Sequence, residues 1–276
     1  MKALVIDASK CNGCYNCQIA CKDEHVGNDW SPYARPQPLI GHFWIKVIDK
    51  VRGTFPKVKV SYRPDICRHC ANAPCISACK YGAIDRREDG IVLIDPDRCR
   101  GEKDCVAACP YGAVYFNEDL NIAQKCTLCT HLLDKGEKEP RCVEVCPTGA
   151  LVFGEEEGLG QLIDRSEMAE PEHAAEPRVH YIGLPKRFIA GAVYDPSEDE
   201  CIEGALVTVV NREDGVEAET LTDEFGDFWL EGLKAGDYSL TIEKEGYGPY
   251  RVECFSVEED VNLGDIALTD QETART

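Results

Sequence analysis

Fifteen of the seventeen cysteines lie between positions 11 and 146, in four groups. They read Cys11-x2-Cys14-x2-Cys17-x3-Cys21, Cys67-x2-Cys70-x4-Cys75-x3-Cys79, Cys99-x5-Cys105-x3-Cys109 and Cys126-x2-Cys129-x12-Cys142-x3-Cys146. Each ends in C-x3-C. Three run on into one turn: Cys79-Lys80-Tyr81-Gly82-Ala83, Cys109-Pro110-Tyr111-Gly112-Ala113 and Cys146-Pro147-Thr148-Gly149-Ala150. In a C-x2-C-x2-C run the backbone wraps one iron–sulfur cube, and the cysteine three residues on reaches the other cluster of a pair. Zinc ribbons also use C-x2-C pairs but give no reason for a third cysteine at +3 or for the repeated Cys-Pro. Structural disulfides are rare in a reducing compartment. The spacing therefore predicts iron–sulfur clusters.

Short elements must hold these loops. Proline after the cysteine sets the exit of the chain, and glycine permits a tight turn into the next strand. Ala83–Asp85 and Ile91–Ile94 flank a turn and predict a hairpin, as do Ala113–Phe116 and Asn121–Ala123. The unit is a cluster loop, a short helix and a small hairpin, used repeatedly.

One position breaks the pattern. The residue three after Cys99 is Glu102. Three readings stay open: a three-iron cluster on three thiolates, a four-iron cluster completed by Glu102 or water, or loss of that cluster. Replacing a thiolate alters cluster type and net charge, which set the reduction potential. His69 stands between Cys67 and Cys70, where the thiolates already complete the set, so no ligand role is expected of it.

Composition divides the 276 residues. Residues 1–150 have net charge +2 and residues 151–276 have −22, giving the overall −20. A shift this sharp marks a domain boundary. The expected domains are a polyferredoxin-like iron–sulfur domain at 1–154, an acidic linker and docking segment at 155–187, and a β-domain at 188–276 with a short tail. The linker is rich in Glu, Ala and Pro, as in Ala169-Glu170-Pro171-Glu172, with a helical turn or two expected around Gln161–Met168. The acidity argues against nucleic-acid binding. The apolar run Ala3–Ile6 stops at Asp7, too short for a secretory signal, and no stretch approaches the length of a membrane span. Mean hydropathy is −0.31. A cytoplasmic location is expected, with export beside a folded partner as the alternative.

Residues 188–268 read as all-β. Strand candidates are Phe188–Tyr194, Ala205–Val210, Val216–Leu221, Asp227–Leu230, Tyr238–Glu243, Tyr250–Phe255 and Val261–Leu268. Phe228, Leu230, Tyr238 and Leu240 would fill the core. The glycine and aromatic pattern resembles the carboxypeptidase-regulatory or transthyretin-like β-sandwich. It holds no catalytic triad, metal set or phosphate loop, so a structural or docking module is expected. Cys201 and Cys254 would be free thiols.

The four-group ladder resembles the iron–sulfur electron-transfer subunits of molybdopterin oxidoreductases of the dimethyl-sulfoxide-reductase family, over roughly residues 1–185. Gly41-His42-Phe43-Trp44, Arg52-Gly53-Thr54-Phe55-Pro56, Tyr62-Arg63-Pro64, Arg87-Glu88-Asp89-Gly90-Ile91-Val92 and Ala123-Gln124-Lys125-Cys126-Thr127 resemble the branch of pyrogallol–phloroglucinol transhydroxylase small subunits, to which those of catechol dehydroxylases are similar. The resemblance implies an α+β fold: tandem ferredoxin-like pairs followed by the sandwich. It implies nested ligand sets: Cys11, Cys14, Cys17 and Cys146 for cluster A; Cys126, Cys129, Cys142 and Cys21 for cluster B; Cys67, Cys70, Cys75 and Cys109 for cluster C; and Cys99, Cys105 and Cys79 for cluster D. Three [4Fe-4S] clusters would be joined by a fourth that is [3Fe-4S] or a non-cysteine-ligated [4Fe-4S]. The implied partner is a large molybdopterin catalytic subunit in a heterodimer, with an electron donor or membrane anchor beyond it; molybdenum and catalysis would lie off this chain. Arg63, Arg68, Arg86, Arg87, Arg98 and Arg100 are candidates for the docking face. The branch has fewer cysteines in its second and third groups, whereas here only Glu102 interrupts the ladder. That favours a net redox reaction on a phenolic substrate, a reductase or dehydroxylase, over a redox-neutral hydroxyl transfer with largely structural clusters. A free-standing polyferredoxin is the remaining alternative.

Overall fold

The apolar run near the start becomes strand β1 (Lys2–Asp7), with Ala3, Leu4, Val5 and Ile6 all buried. This computed structural model describes residues 1–170, 173 and 175–270. Leu4 and Ile6 pack on one face, Ala3 and Val5 with Leu159 and Ile182 on the other, and the buried backbone is paired along both edges. β8 (Leu151–Glu155) pairs antiparallel along one edge and β9 (Val179–Ile182) parallel along the other.

The chain divides into two units: residues 1–49 with 61–184, and residues 50–60 with 185–276. In the first, α1 (Asn16–His25) leads to a long hairpin of β2 (Ile45–Thr54) and β3 (Lys57–Ile66). The repeats follow. α2 (Pro74–Ala78) precedes β4 (Ile84–Arg86) and β5 (Val92–Ile94); α3 (Asp104–Ala108) precedes β6 (Tyr115–Asn117) and β7 (Ile122–Gln124). Both expected hairpins form, in register Ile84 with Ile94 and Tyr115 with Gln124. α4 (Thr130–Leu133) and α5 (Arg141–Glu144) carry the last cysteine group. Proline opens α2, where its missing N–H costs nothing, and Asp104 opens α3, where a carboxylate suits the helix dipole.

The stretch 155–187, expected as a linker, is mostly built into the first unit. It contains a 3-10 turn at Glu156–Leu159, α6 (Gly160–Ile163) and β9. Its acidic composition hid a four-residue strand whose stability comes from β1. Pro171 and Glu172 of its acidic run lie outside the described residues.

The second unit is the expected sandwich. One sheet orders β11 (Glu200–Cys201), β10 (Arg187–Asp195) and β14 (Asp227–Leu233), with β17 (Val261–Ala267) parallel to β10. The other orders β13 (Glu217–Leu221), β12 (Leu206–Asn211), β15 (Asp237–Glu243) and β16 (Tyr250–Ser256). Alternation in β12 and β15 buries every second residue, as the two-residue period of a strand requires. Phe228, Leu230, Tyr238 and Leu240 lie in the core. Gly191 is required beneath Phe228, because a Cβ there would sit 2.8 Å from the ring. The hairpin tip 50–60 belongs to this unit: Arg52 pairs with Asp260 at 2.6 Å and Lys57 with Asp227.

Candidate metal centre

α1 starts after Tyr15, which is left-handed at φ 61°. Cys17, Cys21 and His25 then recur every fourth residue and form one buried stripe. Cys17 faces Cys11, Cys14 and Cys146; burial, then Cys11, pushes its thiol up to about 12. Cys21 is acted on by Cys126, Cys129 and, more weakly, Cys17, and Cys142 by Cys129, Cys126, Cys21 and Cys17. Burial, then the neighbouring thiols, holds Cys21 and Cys142 well above the usual range. Cys67, Cys70, Cys75 and Cys109 line one internal cavity. Burial is the main cause that takes Cys70 up to about 12 and Cys75 to about 11. Cys105, on α3, faces Cys99 and Cys79 and is pushed up to about 11, again chiefly by burial. The thiol influences do not sort into four closed sets: Cys126 feels Cys67 more than Cys129, and Cys105 feels Cys75 more than Cys79. Thiols assigned to different sets also act on one another, Cys17 on Cys142, Cys67 on Cys126 and Cys75 on Cys105.

All seventeen cysteines are free. A buried thiol raised in this way keeps its proton until a metal displaces it, whereupon sulfur becomes a strong ligand. Backbone N–H groups already aim at these sulfurs. Ala83 donates to Cys79 Sγ at 3.2 Å, Ala113 to Cys109 Sγ at 3.4 Å, Ala123 to Cys99 Sγ at 3.4 Å and Leu128 to Cys126 Sγ at 3.2 Å. The first two donors follow the turn glycines Gly82 and Gly112, at φ 57° and 58°. In the third copy of that turn, burial raises the Cys146 thiol. The Thr148 hydroxyl and the N–H groups of Leu151, Thr148 and Ala150 outweigh it, leaving Cys146 below its ordinary value. The repeated Gly-Ala therefore caps a sulfur. Such donors stabilise negative charge on sulfur, and this donor set fits thiolate-bound iron–sulfur clusters.

Glu102 is exposed in the loop before α3, near Lys80, which pairs with Asp104 at 2.8 Å. Five of the six candidate docking arginines are engaged within the chain. Arg63 pairs with Glu170, Arg68 with Asp65, Arg87 with Asp134 and Arg98 with Asp85, while Arg86 donates to the Cys70 and Ala71 carbonyls. Arg68 is buried. Arg98 and Asp85 remain more than half exposed, and such surface pairs add little to stability.

Spacing gave no sign of the aromatic and histidine cluster beside Cys129. His25 Nε2 lies 3.9 Å from Cys129 Sγ, and the His25 ring packs on Trp44 at 4.5 Å. His131 stacks on Trp30 at 4.2 Å, its Nε2 2.9 Å from a Glu24 oxygen. Burial, then His131, holds His25 down at about 3, so it is neutral.

Tandem cluster folds of this kind, lined with free thiols in adjoining sets, define an iron–sulfur electron-transfer protein. Residues 58–156 match the 4Fe-4S dicluster domain, and residues 189–269 match the carboxypeptidase regulatory-like domain. The pyrogallol hydroxytransferase small subunit of Pelobacter acidigallici is 38% identical over 96% of this chain and 98% of its own. A second relative, from the tetrathionate reductase of Salmonella typhimurium, is 34% identical over 68% of this chain and 74% of its own. A third, the beta chain of the dimethylsulfide dehydrogenase of Rhodovulum sulfidophilum, is 40% identical over 41% of this chain and 35% of its own. The chain belongs to the iron–sulfur electron-transfer subunits of the molybdopterin oxidoreductases, the family that includes the pyrogallol hydroxytransferase small subunit. Among the described residues no helix is long and apolar enough to cross a membrane.

Proposed function

We propose that this chain relays single electrons between a redox donor and a large molybdopterin subunit that reduces or dehydroxylates a phenolic substrate. The observation that supports the reading is the continuity of mutually interacting buried thiols, Cys17 acting on Cys142, Cys67 on Cys126 and Cys75 on Cys105. Clusters A, B and C are [4Fe-4S], on Cys11, Cys14, Cys17 and Cys146; on Cys21, Cys126, Cys129 and Cys142; and on Cys67, Cys70, Cys75 and Cys109. Cluster D is [3Fe-4S], on Cys79, Cys99 and Cys105, with Glu102 where a fourth cysteine would stand. The clusters supply one-electron chemistry. The chain supplies thiolates, N–H donors to sulfur and exclusion of water. The two subunits form a heterodimer in the cytoplasm; the free, exposed Cys201 and Cys254 suit a reducing compartment. Fractionation that finds the complex outside the cytoplasm would favour export with the partner.

The test uses the purified complex. A low-potential donor should reduce the clusters, and a phenolic substrate should then re-oxidise them. Turnover with every cluster fixed in oxidation state would sink the relay. It would instead support an accessory role in a redox-neutral hydroxyl transfer, which the likeness to the hydroxytransferase small subunit favours. Oxidised protein should give a three-iron EPR signal, which Glu102→Cys converts to a four-iron cluster. Absence of that signal overturns the assignment of cluster D.

A further inference from the structure

A polar unit lies where the thiol sets of clusters B and C adjoin, and ligation alone does not account for it. Lys125 is only 2% exposed. Its Nζ donates to the Val92 carbonyl and, at 3.0 Å, to the Cys126 carbonyl. Val92 lines the cavity of Cys67, Cys70, Cys75 and Cys109, and Cys126 belongs to the other set, so these two bonds hold the ammonium between them. On the same strand residue, the Val92 N–H donates to His69 Nδ1 at 3.1 Å. His69 is 2% exposed and lines the cavity shared by Cys67, Cys70, Cys75 and Cys109.

The hydrogen bond fixes the state of that ring. A neutral imidazole that accepts at Nδ1 carries its hydrogen on Nε2. The His69 Nε2 is buried and has no hydrogen-bond partner among the described residues. A buried donor left unpaired in a native fold calls for a partner that the polypeptide does not supply. Thr127 Oγ1, between Cys126 and Cys129, is in the same position. A cluster in the cavity would present sulfide acceptors to His69.

We propose that Lys125 and His69 set the reduction potentials at the junction of the two ferredoxin-like pairs, Lys125 as a positive charge shared by clusters B and C and His69 as an N–H donor to a sulfide of cluster C. This rests on the ligand sets proposed above. Reduction adds one electron to a cluster and no proton to either side chain. A nearby cation and an N–H donor both stabilise the more negative, reduced state, so both raise the potential. The physical consequence is a junction that accepts an electron more readily than its thiolates alone would allow.

The experiment is an EPR-monitored redox titration of the complete complex, with iron content measured on each sample. Cluster C is identified as the signal that Cys75→Ser removes or converts. Lys125→Met should move the midpoints of B and C to more negative values, and Lys125→Arg should keep them near wild type. His69→Asn tolerates the left-handed backbone at that position (φ 45°) and should lower cluster C alone. Unchanged midpoints in fully loaded Lys125→Met would overturn the proposal, as would equal shifts in the Met and Arg variants. If Lys125→Met does not load its iron, His69→Asn decides: an unmoved cluster C overturns the His69 role. If Cys75→Ser leaves every signal intact, the ligand sets fail, and that result is separate from any midpoint.

Discussion

In the sandwich unit the interior is carbon: Val207, Val209, Leu240 and Ile242 are covered by the facing sheet. In the cluster unit Cys17, Cys21, Cys126 and Cys142 occupy the interior beside Leu4, Ile6 and Ile45. The sandwich strands β10, β12, β14, β15, β16 and β17 run six to nine residues and pair into two sheets. Apart from the ten-residue α1, the cluster loops rest on helices of four or five residues and hairpins with three residues a strand. Such elements are below the length at which helices or hairpins persist alone. One unit is stabilised by its own apolar surface. The other has apolar side chains beside buried thiols, and its short cluster loops are expected to draw stability from iron, because metal binding at such a site is folding free energy.

Removing the iron is the strongest test of that contrast. Anaerobic chelation should abolish amide-exchange protection through the cluster loops of residues 1–184 and leave protection in 189–269. Parallel loss in both units would show that the sandwich also depends on the metal. The reverse experiment is Phe228→Ala, which empties the sandwich core above Gly191. It should cost about 3–5 kcal/mol in the denaturant midpoint of that unit. The cluster EPR spectrum should not change; altered spectra would break the separation.

Legibility in the sequence follows the same division. The thiol groups could be read because cluster geometry dictates a local spacing, and seven of the eight sandwich strands because alternation reports a buried face; the two-residue β11 is too short to show it. Phe228, Leu230, Tyr238 and Leu240 fell in the core for that reason. What could not be read depends on partners distant in the chain. Val179–Ile182 is a strand only beside β1, and its acidic flank disguised it as linker. The β2–β3 hairpin carries charges where alternation would call for apolar residues, because Arg52 and Lys57 meet carboxylates of the sandwich unit. His69 was set aside as a ligand on counting grounds. Its hydrogen bond from Val92 and its unpaired Nε2 exist only in the folded chain.

Arg52 sharpens the comparison from another side, since it lies early in the sequence yet belongs to the second unit. Its side chain and that of Asp260 are 9% and 10% exposed, and the Phe188 N–H also donates to Asp260 at 3.1 Å. Breaking such a pair strands a buried charge. Arg52→Leu should destabilise the second unit by about 3 kcal/mol. Equal destabilisation of residues 61–184, read by amide exchange, would mean that the hairpin tip is shared between the units.

The smallest expected effect is one of pH. All six histidines, at 25, 42, 69, 131, 173 and 180, lie in the first unit and none in the second. His42 and His180 stand apart from the thiols. Burial, then the Lys22 charge, lowers His42; burial lowers His180, with Arg178 adding to it and Glu156 opposing it. A histidine depressed in the folded state contributes its full stability above the unfolded value of about 6.5. Below that value the unfolded chain takes up a proton that the folded chain refuses, so stability falls as pH falls. One unit below 6.5 the limit is about 1.4 kcal/mol for a fully suppressed histidine. Both rings are only half-buried, so the loss from each should stay below this limit between pH 7.5 and 5.5. It should appear in the exchange rates of residues 1–184 and be absent from 189–269, and His180→Gln should remove part of it. A loss of the same size in the histidine-free sandwich would assign the effect to carboxylates instead, because no imidazole is there to titrate.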